Sequence, residues 1–254
     1  VMNVKFAIVF FFISLSALAK PIPVLVGGYE FPPYIMRKNG HVQGLTLDFI
    51  ELLNQKQTKY AFTFVLTSPT RRYSDMKDGR FQIIPFESST WGWSRELIES
   101  SKIFHEGGEV FITLKEKGKD QSYFKSLEGK TIKGIQGYHY EFVGLSTAPK
   151  ALKNFNIELT STHDGNILSV LNKRAELAIV SKEYLDLYLQ ENPDVKERLL
   201  VSKDFDQIYR LGVLVKQKGS PISVAEVNRI IDSVVKDGSW NSLLKKKGIS
   251  QRLP

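Results

Sequence analysis

The residues of this 254-residue chain that could do chemistry are few and scattered. There is no cysteine, which excludes thiolate nucleophiles and sulfur-ligated metals. The four histidines, His41, His105, His139 and His163, include no two at the helical spacing of a metal-binding pair. No nucleophile elbow, phosphate loop or zinc-protease motif occurs. What remains suits binding rather than turnover. Between residues 87 and 95 the chain gathers Glu87, Ser88, Thr90, Trp91, Trp93 and Arg95. A guanidinium is a planar fork that matches two carboxylate oxygens, and a hydroxyl can satisfy a remaining lone pair. Aromatic rings can hold a ring, an aliphatic chain or a cation. Glu30 and Glu87 are candidate partners for a cation, and Arg71, where a short helix begins, is a candidate second guanidinium. Each has a plainer reading: Arg95 as a solvated loop arginine, the tryptophans as packing, Glu30 and Arg72 as surface charges.

The elements that must position these residues alternate in type. Ile22 to Gly27 is an apolar run entering a Gly-Gly turn, and Leu45 to Asn54 carries Leu47, Ile50 and Leu53 at helical spacing. Tyr60 to Leu66 is rich in aromatic and β-branched residues, as a strand requires. Arg71 to Lys77 reads as a short helix, with strands at Phe81 to Phe86 and Glu109 to Leu114. The second half repeats the style, with strands at Thr131 to Ile135, Ile157 to Leu159 and Ala175 to Val180. Helices at Asn166 to Lys173 and Lys182 to Gln190 lie between and after them, and Leu211 to Val215 is the last clear strand. Strands separated by helices imply βαβ units and mostly parallel sheets. Ser223 with Glu226 forms a capping box before an apolar helical face, and Gly238 ends that helix. Two such α/β halves leave a cleft between them, the default place for a ligand.

The N-terminus has a different character. Lys5 precedes the uncharged apolar run Phe6 to Leu18, which ends in Ala17-Leu18-Ala19. This is the pattern of a secretory signal, with cleavage expected near Ala19 and a periplasmic destination. The run is shorter than the roughly 20 residues a spanning helix needs. Removal of Lys5 leaves 34 basic against 27 acidic residues, about +7. The basic residues are scattered, and no nucleic-acid reader motif accompanies them. No metal or cofactor is expected, and the chain is expected to act as a monomer.

Four segments together resemble the family 3 extracellular solute-binding proteins, which include polar-amino-acid receptors of ABC importers. The first is Val24 to Leu47 with Phe31-Pro32-Pro33-Tyr34, Gly40 and Gly44. The second is Met76-Lys77-Asp78-Gly79-Arg80-Phe81, followed by Arg95 and Ser100-Ser101. The third is Leu127-Glu128-Gly129-Lys130 with Gly137, and the fourth runs from Lys236-Asp237-Gly238-Ser239-Trp240 through Lys247. The resemblance implies the periplasmic binding protein type II fold. One lobe would comprise 20–109 plus 210–254 and the other 110–209, joined by two hinge crossings.

By the same resemblance Arg95 would grip a ligand carboxylate, helped by the Thr90 hydroxyl and the Ser88 backbone. Phe31 would stack on the ligand, with Trp91, Tyr138 and His139 nearby. The place of the Asp that usually meets the ligand ammonium falls on Ser181, which cannot supply a charge-assisted bond. The implied function is binding of a small polar solute, an amino acid or related carboxylate-bearing compound, for an ABC permease. An orphan or sensory binding protein is the alternative, and a dehydratase-like enzyme on this fold a more distant one.

Overall fold

The computed structural model describes residues 20–249, so the expected signal segment lies outside the described residues. The chain opens with β1 (Ile22–Gly28), the hairpin strands β2 (Met36–Lys38) and β3 (His41–Gln43), α1 (Leu45–Lys56) and β4 (Tyr60–Leu66). It continues with α2 (Arg72–Lys77), β5 (Ile83–Glu87), β6 (Ile98–Ser100) and β7 (His105–Leu114). Next come β8 (Ile132–Ile135), α3 (Pro149–Leu152), β9 (Ile157–Thr160), α4 (His163–Leu171) and β10 (Leu177–Ser181). The remainder is α5 (Lys182–Glu191), α6 (Pro193–Arg198), β11 (Leu199–Lys216), α7 (Val224–Lys236) and α8 (Ser239–Lys246).

The strands run in the order β4-β1-β5-β11-β7-β10-β8-β9, with β6 also on β11. One half is a parallel trio, β4-β1-β5, and the other half a second trio, β10-β8-β9. Antiparallel β7 and β11 join them. This is the expected two-lobed α/β arrangement. β11 is the departure from expectation: a strand was foreseen only over 211–215, yet the ladder begins at Leu199. Residues Leu199 to Leu211 pair with β7, and from Gly212 onward the same strand pairs with β5 and β6. Register shifts between Val201 and Gln207 break the in–out alternation, and polar residues fill that stretch, so periodicity gives no strand signal there.

Apolar spacing explains the helices that close the first lobe. In α7, Val227, Ile230, Ile231 and Val234 form the buried face, and the Ser223 hydroxyl accepts from Glu226 N at 3.3 Å, the expected cap. Trp240 of α8 is fully buried against Phe49, Phe86 and Phe104. In the second lobe, Val110, Ile112, Ala178 and Val180 pack beneath Ile167, Val170 and Leu185. Burying side chains of this size stabilises by about 1.5–3 kcal/mol each, so the helices are held by packing more than by propensity.

Candidate ligand site between the lobes

α2 places the first charged group, through its helical phase. Arg72, Asp75 and Met76 share the buried face, while Arg71 and Lys77 point outward. The expectation that Arg71 faces the site is therefore corrected: its side chain is 67% exposed and lies 3.8 Å from Asp75. Arg72, expected at the surface, is 1% exposed. Its Nε stands 3.3 Å from Glu87 Oε2, and its Nη1 donates to the Pro69 carbonyl and, at 3.4 Å, to the Gly137 carbonyl of the other lobe. The guanidinium also lies 4.4 Å from the Tyr73 ring centre and 4.8 Å from that of Tyr29.

β5 delivers Glu87. The backbone of Phe86 before it is left-handed, with φ 57, opposite a register shift at Gly212/Val213. Such irregularities re-aim side chains at the rim of a sheet. Glu87 accepts from Tyr29 Oη (2.5 Å) and Trp93 Nε1 (2.5 Å). Burial pushes its carboxyl above the ordinary range, and the Arg72 charge and the two donors pull the other way.

The second lobe contributes from the turn after β8 and from β7 and β11. Tyr138 Oη donates across the seam to the Glu30 carbonyl at 2.8 Å. His139 Nε2 lies 2.8 Å from Tyr73 Oη, and its Nδ1 lies 2.6 Å from the Leu145 carbonyl. Burial lowers the His139 pKa, which favours the neutral ring. With its amide oriented to suit its neighbours, Gln207 donates to the His139 carbonyl (3.0 Å) and accepts from Trp91 Nε1 (3.3 Å). Asp206 holds the turn in place by accepting from Glu141 N and Phe142 N at 2.8 and 3.0 Å.

These groups enclose a cavity of about 10 Å³. Tyr29, Phe31, Arg72 and Trp91 form one wall, and Glu109, Tyr138, His139 and Tyr209 the other. Two open grooves of about 610 Å³ each flank it and share Ile135 and Tyr138. The small cavity brings Arg72, Glu109 and rings from both lobes to one point. It has room for one water at most, so a solute enters only if the lobes part.

Of the residues singled out from sequence, Phe31, Trp91, Tyr138 and His139 line this cavity, and Glu87 stands behind Arg72. Arg95 is exposed in the turn before β6, away from the cavity wall. Ser88 and Thr90 bond to each other at 2.8 Å within their own loop. Ser181 is buried behind Tyr209, which lies 3.4 Å from its hydroxyl, with His163 Nε2 at the same distance. Glu30 pairs with Arg37. Sequence reasoning read Arg72 as a surface charge and missed Tyr29, Glu109 and Tyr209. Arg72 had a signal, since a residue four before the buried Met76 shares its helical face. Glu109 had one too, as the acid heading the apolar run of β7.

Two α/β lobes joined by paired crossing strands, with a polar and aromatic cavity at their seam, define a clamp for a small molecule. The sequence model of the family described as bacterial extracellular solute-binding proteins, family 3, matches residues 24–248, and the chain belongs to that family. Solved structures share the fold. An ancestral arginine-binding protein bound to arginine superposes with a TM-score of 0.69 at 16% identity, covering 90% of this chain and 99% of the other. A candidate ABC-transporter binding component from Wolinella succinogenes, complexed with lysine, gives 0.69 at 22% identity, covering 88% and 94%. A histidine kinase sensor domain similar to periplasmic binding proteins gives 0.70 at 16% identity, covering 89% and 96%. No curated protein matches the chain in sequence.

Proposed function

We propose that the protein captures a small polar solute of the amino-acid class in the interlobe cavity and presents it to an ABC-type importer after export and cleavage near Ala19. The observation that carries this reading is the meeting of Arg72, Glu109 and five aromatic rings from two lobes around one cavity. The arginine- and lysine-bound neighbours support the amino-acid class. The likeness to a kinase sensor domain favours a second reading, in which the same closure is read by a signalling partner. In either case the hinge lies where β7 begins and where β11 passes from β7 to β5. A solute that binds only the closed form shifts the population toward it.

A thermal-shift and calorimetric screen of amino acids, amines and small acids tests the reading. A solute at 100 times its Kd adds about 2.7 kcal/mol of stability. Arg95→Ala is expected to leave that shift unchanged, because the side chain stands outside the cavity. Gly137→Ala is expected to weaken binding about tenfold, or about 1.4 kcal/mol. Gly137 has φ 82, and a Cβ there would sit 3.0 Å from Pro69 Cβ and Thr70 Cγ2 across the seam. An affinity lost with Arg95→Ala and kept with Gly137→Ala would place the solute elsewhere.

A further inference from the structure

We propose that Glu109 is the anchor for a positively charged group of the solute, so that the clamp selects small organic cations held within a box of aromatic rings. The inference rests on the interlobe reading above and names the ligand class of that site.

The acids near the seam can be accounted for one by one. Glu87 meets Arg72 and two hydrogen-bond donors, and Glu30 meets Arg37. Glu109 is 2% exposed and faces the cavity, and no hydrogen bond or ion pair among the described residues reaches its carboxylate. Its backbone is held on both sides, opposite Gln207 of β11 and Ser181 of β10, so the side chain is aimed by a central strand. The charged neighbours on β11 and α5 are acidic, Asp206 and Glu183, and the phenols of Tyr138, Tyr140 and Tyr209 face it. Burial first, then those two acids, push its carboxyl well above the ordinary range. A buried carboxyl of this kind is costly to hold as an unpaired anion, and a cation brought against it relieves that cost.

The rings around it have the right character for that cation. Phe31 lies 5.4 Å from Tyr138 and 5.7 Å from Tyr209, centre to centre, and Trp91 lies 5.3 Å from Tyr209. All three pairs are edge-on, so different rings turn faces and edges toward the same space. Ring faces attract ammonium groups, most strongly when water is excluded. The cavity's own guanidinium, Arg72, is already balanced by Glu87, which leaves Glu109 as the uncompensated charge site.

Isothermal calorimetry with choline, putrescine, L-lysine and succinate on the wild type, Glu109→Gln and Gly137→Ala tests this. Choline and at least one of the amines are expected to bind the wild type, and Glu109→Gln to weaken them at least tenfold. The wild type provides an independent readout should the Gln variant melt early: choline, which carries no titratable proton, should displace protons on binding rather than take them up, seen as a heat that varies with the buffer. Cation binding that is equal in Glu109→Gln and releases no proton would overturn the assignment. Binding of succinate alone, weakened by Gly137→Ala, would leave the interlobe site standing and remove the cation. Silence of all four probes, or binding indifferent to Gly137→Ala, would remove the interlobe reading itself.

Discussion

Arg72→Met should cost about 3–5 kcal/mol of unfolding free energy, the cost of stranding one partner of a buried ion pair. The loss follows from burial. The Arg72 and Glu87 side chains are 1% and 0% exposed, so neither finds water when the other is removed. Glu87 would keep its bonds from Tyr29 and Trp93, but two neutral donors do not replace a cation in a low-dielectric seam. Glu87→Gln should be costly for the mirror reason. The double variant should lose well under the sum of the two, because each single change leaves an orphan that the pair of changes removes. Urea unfolding of the four proteins measures this coupling. Strict additivity with costs below about 1 kcal/mol would be the behaviour of an exposed pair and would contradict the buried geometry. Arg72→Met should also loosen the seam, since the same guanidinium bonds the Gly137 carbonyl of the opposite lobe.

The second large effect concerns acid. His105, the first residue of β7, is fully buried between the rings of Tyr34, Phe86 and Trp240 at 5.6–6.0 Å, and neither ring nitrogen has a hydrogen-bond partner. Burial lowers its pKa from 6.5 to about 4. Between those values the unfolded chain binds a proton that the folded chain refuses. His105 therefore supports folding fully above pH 6.5, and that support is lost as pH falls toward 4. At 1.36 kcal/mol per pKa unit the loss is about 3 kcal/mol. Buried carboxyls act in the opposite sense. Asp206, raised to about 6 by burial, favours the folded state more as acid is added. The comparison must therefore be made against His105→Phe, which keeps the ring packing and removes the titration. The variant should gain about 3 kcal/mol on the wild type between pH 7 and pH 4 beyond any difference at neutrality. Denaturant midpoints across that range check it. A gap that stays constant with pH would mean that the imidazole protonates freely in the folded protein.

How much of this was legible beforehand depended on whether a segment answers to one lobe or to two. β4 was foreseen with its observed limits, Tyr60–Leu66, and α7 with its cap, because each packs one face on one core. The stretch from Leu199 to Arg210 was not, because it lies between lobes, carries bulges and mixes polar with apolar residues. The same distinction separates the site residues. Phe31, Tyr138 and His139, singled out with the help of the family motifs, line the cavity, whereas Arg95, assigned by the order of those motifs, stands outside it. The charge that stands in the seam, Arg72, shares its helical face with Met76, a spacing that was readable but was outweighed by the reading of a surface arginine. Glu109 stands out as the acid heading the apolar run of β7, but the place of that strand at the crossing is set by its pairing with β10 and β11.

The continuity of β11 has a mechanical meaning. A clamp whose halves hung on slack tethers would lose a great deal of freedom each time it shut. Here the two jaws are built on one unbroken ribbon of eighteen residues, laced for most of its length to β7. Parting them flexes that ribbon as a leaf spring flexes, with its lacing intact. The travel is short, the path is repeatable, and little disorder has to be surrendered on the return stroke.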